Sequence, residues 1–124
     1  MIDTWIAELP HGMRLSCRSA GERGPVLMFL HGFPEAAFAW DELLAHFAAP
    51  EHGGFRCVAP NLRGYEQSSR PADVSAYHAK HLAQDIAALI AAECGPQGQL
   101  VALIAHDWGG AVAWNLAATR PELM

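Results

Sequence analysis

Apolar and polar positions divide this chain into short runs. Thr4–Glu8 and Met13–Ser19 read as two short strands, with Pro10-His11-Gly12 as the turn between them and Gly21-Glu22-Arg23-Gly24-Pro25 as a second turn. Val26-Leu27-Met28-Phe29-Leu30, Phe55–Ala59 and Leu100–Ala105 read as buried strands, the last as a continuous apolar run of the kind that strands covered on both faces show. Between them the period changes. Trp40, Leu43, Leu44 and Phe47 fall at i, i+3, i+4 and i+7, which predicts a helix over about Ala37–Ala48 with one buried stripe. Leu82, Ile86, Leu89 and Ile90 share one face of a second helix over about Ala76–Glu93, which Gly95-Pro96 ends. A third helix runs to about Thr119, before Pro121. The alternation of strand and helix after an added N-terminal hairpin predicts an α/β fold with a parallel sheet, and no internal repeat is present.

Composition narrows the function classes. The 124 residues suit one small domain, 52% of them are hydrophobic, and the formal net charge is −5. Eight basic residues lie scattered along the chain, which argues against nucleic acid, because phosphate binding requires clustered Lys and Arg. No apolar run approaches the ~18–20 residues of a membrane span, and the first residues, with Asp3 and Glu8, lack the pattern of a signal peptide. Cys17, Cys57 and Cys94 are odd in number and form no CxxC pair, so the set predicts a reduced, cytoplasmic protein, with Cys57 an inert core thiol. His11, His46, His52, His78 and His81 match no metal template, and no metal site is expected.

The chemistry concentrates at two strand ends. The Leu100–Ala105 run leads directly into His106-Asp107-Trp108-Gly109-Gly110. An aspartate at such a place is a good helix N-cap. A cap alone does not call for small residues at Ala105, Gly109 and Gly110, which suit a close strand–helix approach around a strained turn, and so Asp107 is the candidate nucleophile. The backbone N–H of Trp108, at the start of the helix, is a candidate oxyanion donor, and its side chain a candidate pocket wall. His106 is expected to point into the protein on a hydrogen bond rather than to act as a base. His31-Gly32-Phe33-Pro34 follows the Val26–Leu30 strand, at the carboxyl end of the sheet where ligands bind in open α/β folds. The Phe33 N–H is the second candidate oxyanion donor, and His31, Gly32 and Pro34 shape the site. The polar loop Ala59–Pro71 is expected to order the rim, with Arg63 pairing to a carboxylate.

Taken together, His31-Gly32-Phe33-Pro34, Arg63-Gly64-Tyr65 and His106-Asp107-Trp108-Gly109-Gly110 resemble the N-terminal half of the α/β-hydrolase fold, in the branch of epoxide hydrolases and haloalkane dehalogenases. Phe33 and Trp108 look most like the epoxide hydrolases, since many haloalkane dehalogenases place Asn at the first position and fluoroacetate dehalogenases tend to place Arg at the second. Two positions depart from the pattern: Ala105 replaces a common Gly, and Glu66 stands where Gly is frequent. The resemblance implies a small apolar epoxide or halide substrate, attack by Asp107 to form an alkyl ester, hydrolysis of that ester by water, and no cofactor. A haloalkane dehalogenase and a non-catalytic small-ligand-binding relative are the alternatives. One-domain α/β folds often need ~200–250 residues, and the family continues with a cap, an acid and a catalytic His. The sequence therefore reads as a partial α/β-hydrolase core over residues 1–124, itself inactive, which needs the C-terminal half or associates with itself through the exposed edge of the Leu100–Ala105 strand.

Overall fold

The computed structural model describes residues 1–124. Its first two strands, β1 (Asp3–Glu8) and β2 (Arg14–Ala20), pair antiparallel as a hairpin. Strand β3 (Val26–Leu30), helix α1 (Asp41–Ala48), strand β4 (Arg56–Pro60), helix α2 (Ala79–Cys94), strand β5 (Ala102–Ala105) and helix α3 (Trp108–Thr119) follow in alternation. The sheet order is β1-β2-β4-β3-β5. Strand β3 lies parallel to both β4 and β5, while β2 is antiparallel to β4, so the sheet is mixed.

The period of two along β3 decides how the layers assemble. Leu27 and Phe29 face one side and pack with Leu44 of α1 and with Cys57 and Ala59 of β4. Val26, Met28 and Leu30 face the other, where Ile86, Leu89 and Ile90 of α2 and Val112 and Leu116 of α3 meet them. All five residues of β3 are buried because helices cover both faces. Burial also governs the two core cysteines: it pushes the Cys17 thiol up to about 12 and the Cys57 thiol up to about 11, so neither is a thiolate at neutral pH.

Three sequence expectations change. Leu43 does not join the buried stripe of α1; it is 40% exposed, and Leu44 alone of that helix is fully buried. The segment Ala37–Trp40 is a 3₁₀ turn that rotates the first residues away from the α-helical period. Strand β5 is only half-buried along its length, since it stands at the edge of the sheet with β3 on one side and no strand on the other. Beside it an apolar groove of about 300 Å³ is lined by Leu103, Ala105, Ala113, Trp114, Ala117 and Met124, and Trp114 is 78% exposed.

Ile86 is fully buried within the larger core cluster. Ile86→Ala is expected to lower the unfolding free energy by about 2–5 kcal/mol, the range for deleting a large aliphatic side chain from a packed core, measured by equilibrium urea unfolding.

Candidate active site

The ends of β3 and β5 lie side by side, and each releases a functional loop in the same direction. The parallel ladder joins Leu30 to Ala105 and continues one step, with His106 N–H donating to Leu30 O at 3.1 Å. The chain then turns at Asp107, whose φ of 58° and ψ of −121° lie where L-residues are rarely found. Helix α3 begins at the next residue. The turn requires Gly109: a Cβ there would lie 2.5 Å from Leu30 O and 2.6 Å from His31 O. Gly32 is equally constrained, because its Cβ would collide with Asp107 Cβ and sit 2.8 Å from His106 O. The two loops touch at backbone distance, and glycine makes that contact possible.

The carboxylate of Asp107 makes no capping hydrogen bond to α3. It reaches across to the neighbouring loop, where Phe33 N–H donates to its Oδ2 at 2.9 Å. The Phe33 N–H foremost, and the Trp108 N–H after it, hold the Asp107 carboxyl below its ordinary 3.8. Asp107 is exposed, and so are the rings of Phe33 and Trp108. No histidine side chain hydrogen-bonds to this carboxylate.

The Phe33 loop is held from below. His31 is buried, and burial holds its imidazole below the ordinary 6.5, so the ring is neutral at pH 7. Its Nε2 accepts the Leu62 N–H at 3.0 Å, which places the ring proton on Nδ1, aimed at Gly32 O 3.1 Å away. Glu35 N–H donates to the same Gly32 carbonyl at 2.9 Å and closes a turn around Phe33-Pro34, whose peptide is cis. At the far end of the loop, Asn61 Oδ1 accepts the Ala37 N–H at 2.8 Å.

The structure thus brings together Asp107, Phe33, Trp108, Gly32, His31, Pro34 and Gly109. It corrects two expectations. His106 does not point into the protein on a hydrogen bond; its side chain is exposed, makes none, and borders a small hollow with His31, Gly32, Glu35, Ala39 and Trp40. It sits one residue past the sheet, where no strand covers it. Gly110 is not part of the close approach: nothing lies within 4 Å of the Cβ it lacks, because it faces the open groove beside β5 rather than Leu30. Arg63 does pair with a carboxylate, that of Asp85, which sequence reasoning passed over. No group of three or more His, Cys, Asp or Glu side chains is arranged to hold a metal. His46 and His52 stack on each other with ring centroids 3.9 Å apart, and His11 bonds to Asp85.

Comparison with known proteins agrees with this fold. The family model described as the α/β hydrolase fold matches residues 25–124. The chain is 38% identical over 99 residues to an epoxide hydrolase of Caballeronia sordidicola, covering 80% of this chain and 28% of that protein. It is 39% identical over 115 residues to the AB hydrolase superfamily protein YfhM of Bacillus subtilis, covering 92% and 38% respectively. Among solved structures, the epoxide hydrolase VrEH1 from Vigna radiata superposes with a TM-score of 0.88 at 40% identity, over 99% of this chain and 36% of that one. The chain spans about a third of the length of the curated relatives it matches.

A carboxyl held in its ionised form by hydrogen-bond donors titrates low. The Asp107 carboxyl is expected to show a midpoint below 3.8 by carbon-detected NMR, and the Phe33 amide proton should follow the same curve. The sign follows from the bond: the charged form is favoured in the folded state, so its contribution to stability is present above pH 3.8 and is lost as pH falls through the lower folded value.

Proposed function

The chain belongs to the α/β-hydrolase fold family, and from that premise we propose that it carries the nucleophile and oxyanion donors of an epoxide hydrolase. The single observation that supports this reading most directly is the bond from Phe33 N–H to Asp107 Oδ2. It divides the two carboxylate oxygens by role. Oδ2 is engaged by the Phe33 N–H, while Oδ1 accepts no hydrogen bond and is left free to attack.

In the proposed reaction, Asp107 Oδ1 forms a bond to one epoxide carbon as the carbon–oxygen bond of the ring breaks. The released alkoxide takes up a proton, and an alkyl ester of Asp107 remains. Water then attacks the ester carbonyl carbon, and the negative charge of the tetrahedral intermediate develops on Oδ2, where the Phe33 N–H already points, with the Trp108 N–H as the second proposed donor. Collapse expels the second oxygen of the vicinal diol with a proton and restores the carboxylate. Epoxide and water are consumed and one diol is formed, with no cofactor. The exposed rings of Phe33 and Trp108 suit an apolar substrate, and the three free cysteines suit a reducing, cytoplasmic setting.

Within this chain no histidine is bonded to the Asp107 carboxylate to activate the water. The first step is therefore expected to outrun the second, and the ester to accumulate. Incubation with styrene oxide should add the mass of one epoxide, seen by intact-mass spectrometry and localised to Asp107 by peptide mapping. Asp107→Asn should remove the adduct. No adduct with any epoxide, combined with tight binding of a small neutral ligand, would favour a non-catalytic relative, and halide release from a haloalkane would favour a dehalogenase.

The open side of β5 belongs to the same proposal. Val101 is 55% exposed and Trp114 78% exposed beside unpaired strand backbone, a combination that invites association. We expect the isolated chain to sediment as dimers or larger species, and a stable monodisperse monomer in analytical ultracentrifugation would overturn that expectation.

A further inference from the structure

The loop that follows β4 holds the Phe33 loop at both ends. Leu62 N–H donates to His31 Nε2 at 3.0 Å, and the Tyr65 ring stands edge-on to the same imidazole with centroids 4.5 Å apart. Asn61 accepts the Ala37 N–H. His31 and Ala37 bracket Phe33, so residues 61–65 act as the bed on which residues 31–37 are laid. Asn61 is in turn secured to β2, donating from Nδ2 to Ser16 Oγ at 2.9 Å, while Ser68 Oγ donates to Asn61 O.

What orients residues 62–65 is a buried ion pair on the far side of the loop. Arg63 donates from Nε to Asp85 Oδ2 and from Nη2 to Asp85 Oδ1, each at 2.7 Å, and from Nη1 to Ala76 O at 2.8 Å. The side chains are 6% and 2% exposed. His11, on the turn between β1 and β2, meets Asp85 Oδ1 at 2.8 Å. A planar guanidinium bound at both fork positions and at its third edge has one orientation, and the backbone at Arg63 inherits it. Gly64, with φ of 91°, then turns the chain against the Tyr77 ring, where a Cβ would come within 2.9 Å.

We infer that Asp85 is a positioning residue for the Phe33 N–H. Through Arg63 it sets the 61–65 loop, through Leu62 and Asn61 that loop sets residues 31–37, and the end of the relay is the bond from Phe33 to Asp107. A buried ion pair adds little net stability compared with well-packed apolar residues, whereas a fork fixes direction. Geometry is therefore what this pair supplies. The inference rests on the proposed role of Phe33 as a donor, but its readout is the hydrogen bond itself and not turnover.

The test follows the Phe33 amide of the full chain by proton–nitrogen NMR. In the parent chain that amide should exchange slowly and shift with the ionisation of Asp107. In Asp85→Asn its exchange should quicken at least about tenfold and the coupling to Asp107 titration should vanish, while amides of β3 and β4 such as Met28 and Val58 keep their protection. Arg63→Lys, which keeps the charge and loses the fork, should give a smaller effect of the same kind. Should Asp85→Asn not fold, the paired replacement Arg63→Met with Asp85→Leu removes both charges together and carries the same expectation at Phe33. An unchanged Phe33 amide in any folded variant without the fork overturns the inference, and so does a uniform loss of protection across the sheet. Failure of the parent chain to form an epoxide adduct overturns the functional reading instead, and leaves the Phe33 readout standing.

Discussion

The first turn of α3 lies directly on the carbonyls at the end of β3 and just beyond it. Leu30 O and His31 O leave no space for a side chain at Gly109, and Asp107 leaves none at Gly32. This approach forces the left-handed backbone at Asp107, because a gentler turn would carry the helix away from the strand. Once the turn is forced, the carboxylate projects toward the neighbouring loop and meets the Phe33 N–H. The sheet supplies the remaining condition. Strand β3 is buried on both faces and parallel to β5, so the two strand ends cannot slide without exposing Leu27, Met28 and Phe29.

Two aspartates show how surroundings give one kind of side chain two different environments. Asp85 is buried and saturated: an arginine fork and a histidine take up its oxygens. Asp107 is exposed and its carboxylate is bonded only to the Phe33 backbone N–H, with one oxygen left over. Cations would neutralise a carboxylate and, in the proposed reaction, blunt its attack. Amide dipoles stabilise its charge while leaving it formally anionic.

Much of this was legible in the residue order. The apolar runs located β3, β4 and β5 to within two residues, and the small residues after β5 pointed to a tight strand–helix turn around Asp107. That signal did not separate Gly109, which meets two carbonyls, from Gly110, which meets nothing, since adjacent glycines look alike until helix phase is known. Leu43 failed for a related reason: the 3₁₀ turn ahead of α1 shifts the period on which the stripe was counted. Asp85 did carry a signal. It sits between Leu82 and Ile86 on the apolar face of α2, and a carboxylate in such a stripe demands a buried cation. Asn61 carried none, because its role depends on Ser16 and Ala37, residues distant in the chain that only folding brings near. Glu66 stands where relatives resembled by this sequence often have glycine, and its φ of 49° shows that the loop keeps the left-handed turn without one.

The Phe33 N–H is occupied by the protein's own carboxylate. Acetate, phosphate or chloride approaching this face would meet a fixed negative charge in the place where an empty amide nest would attract it. The surface is thereby selective by sign. It repels the abundant small anions of any aqueous compartment and stays open to neutral molecules, so ambient salts do not compete for the place an uncharged electrophile would take.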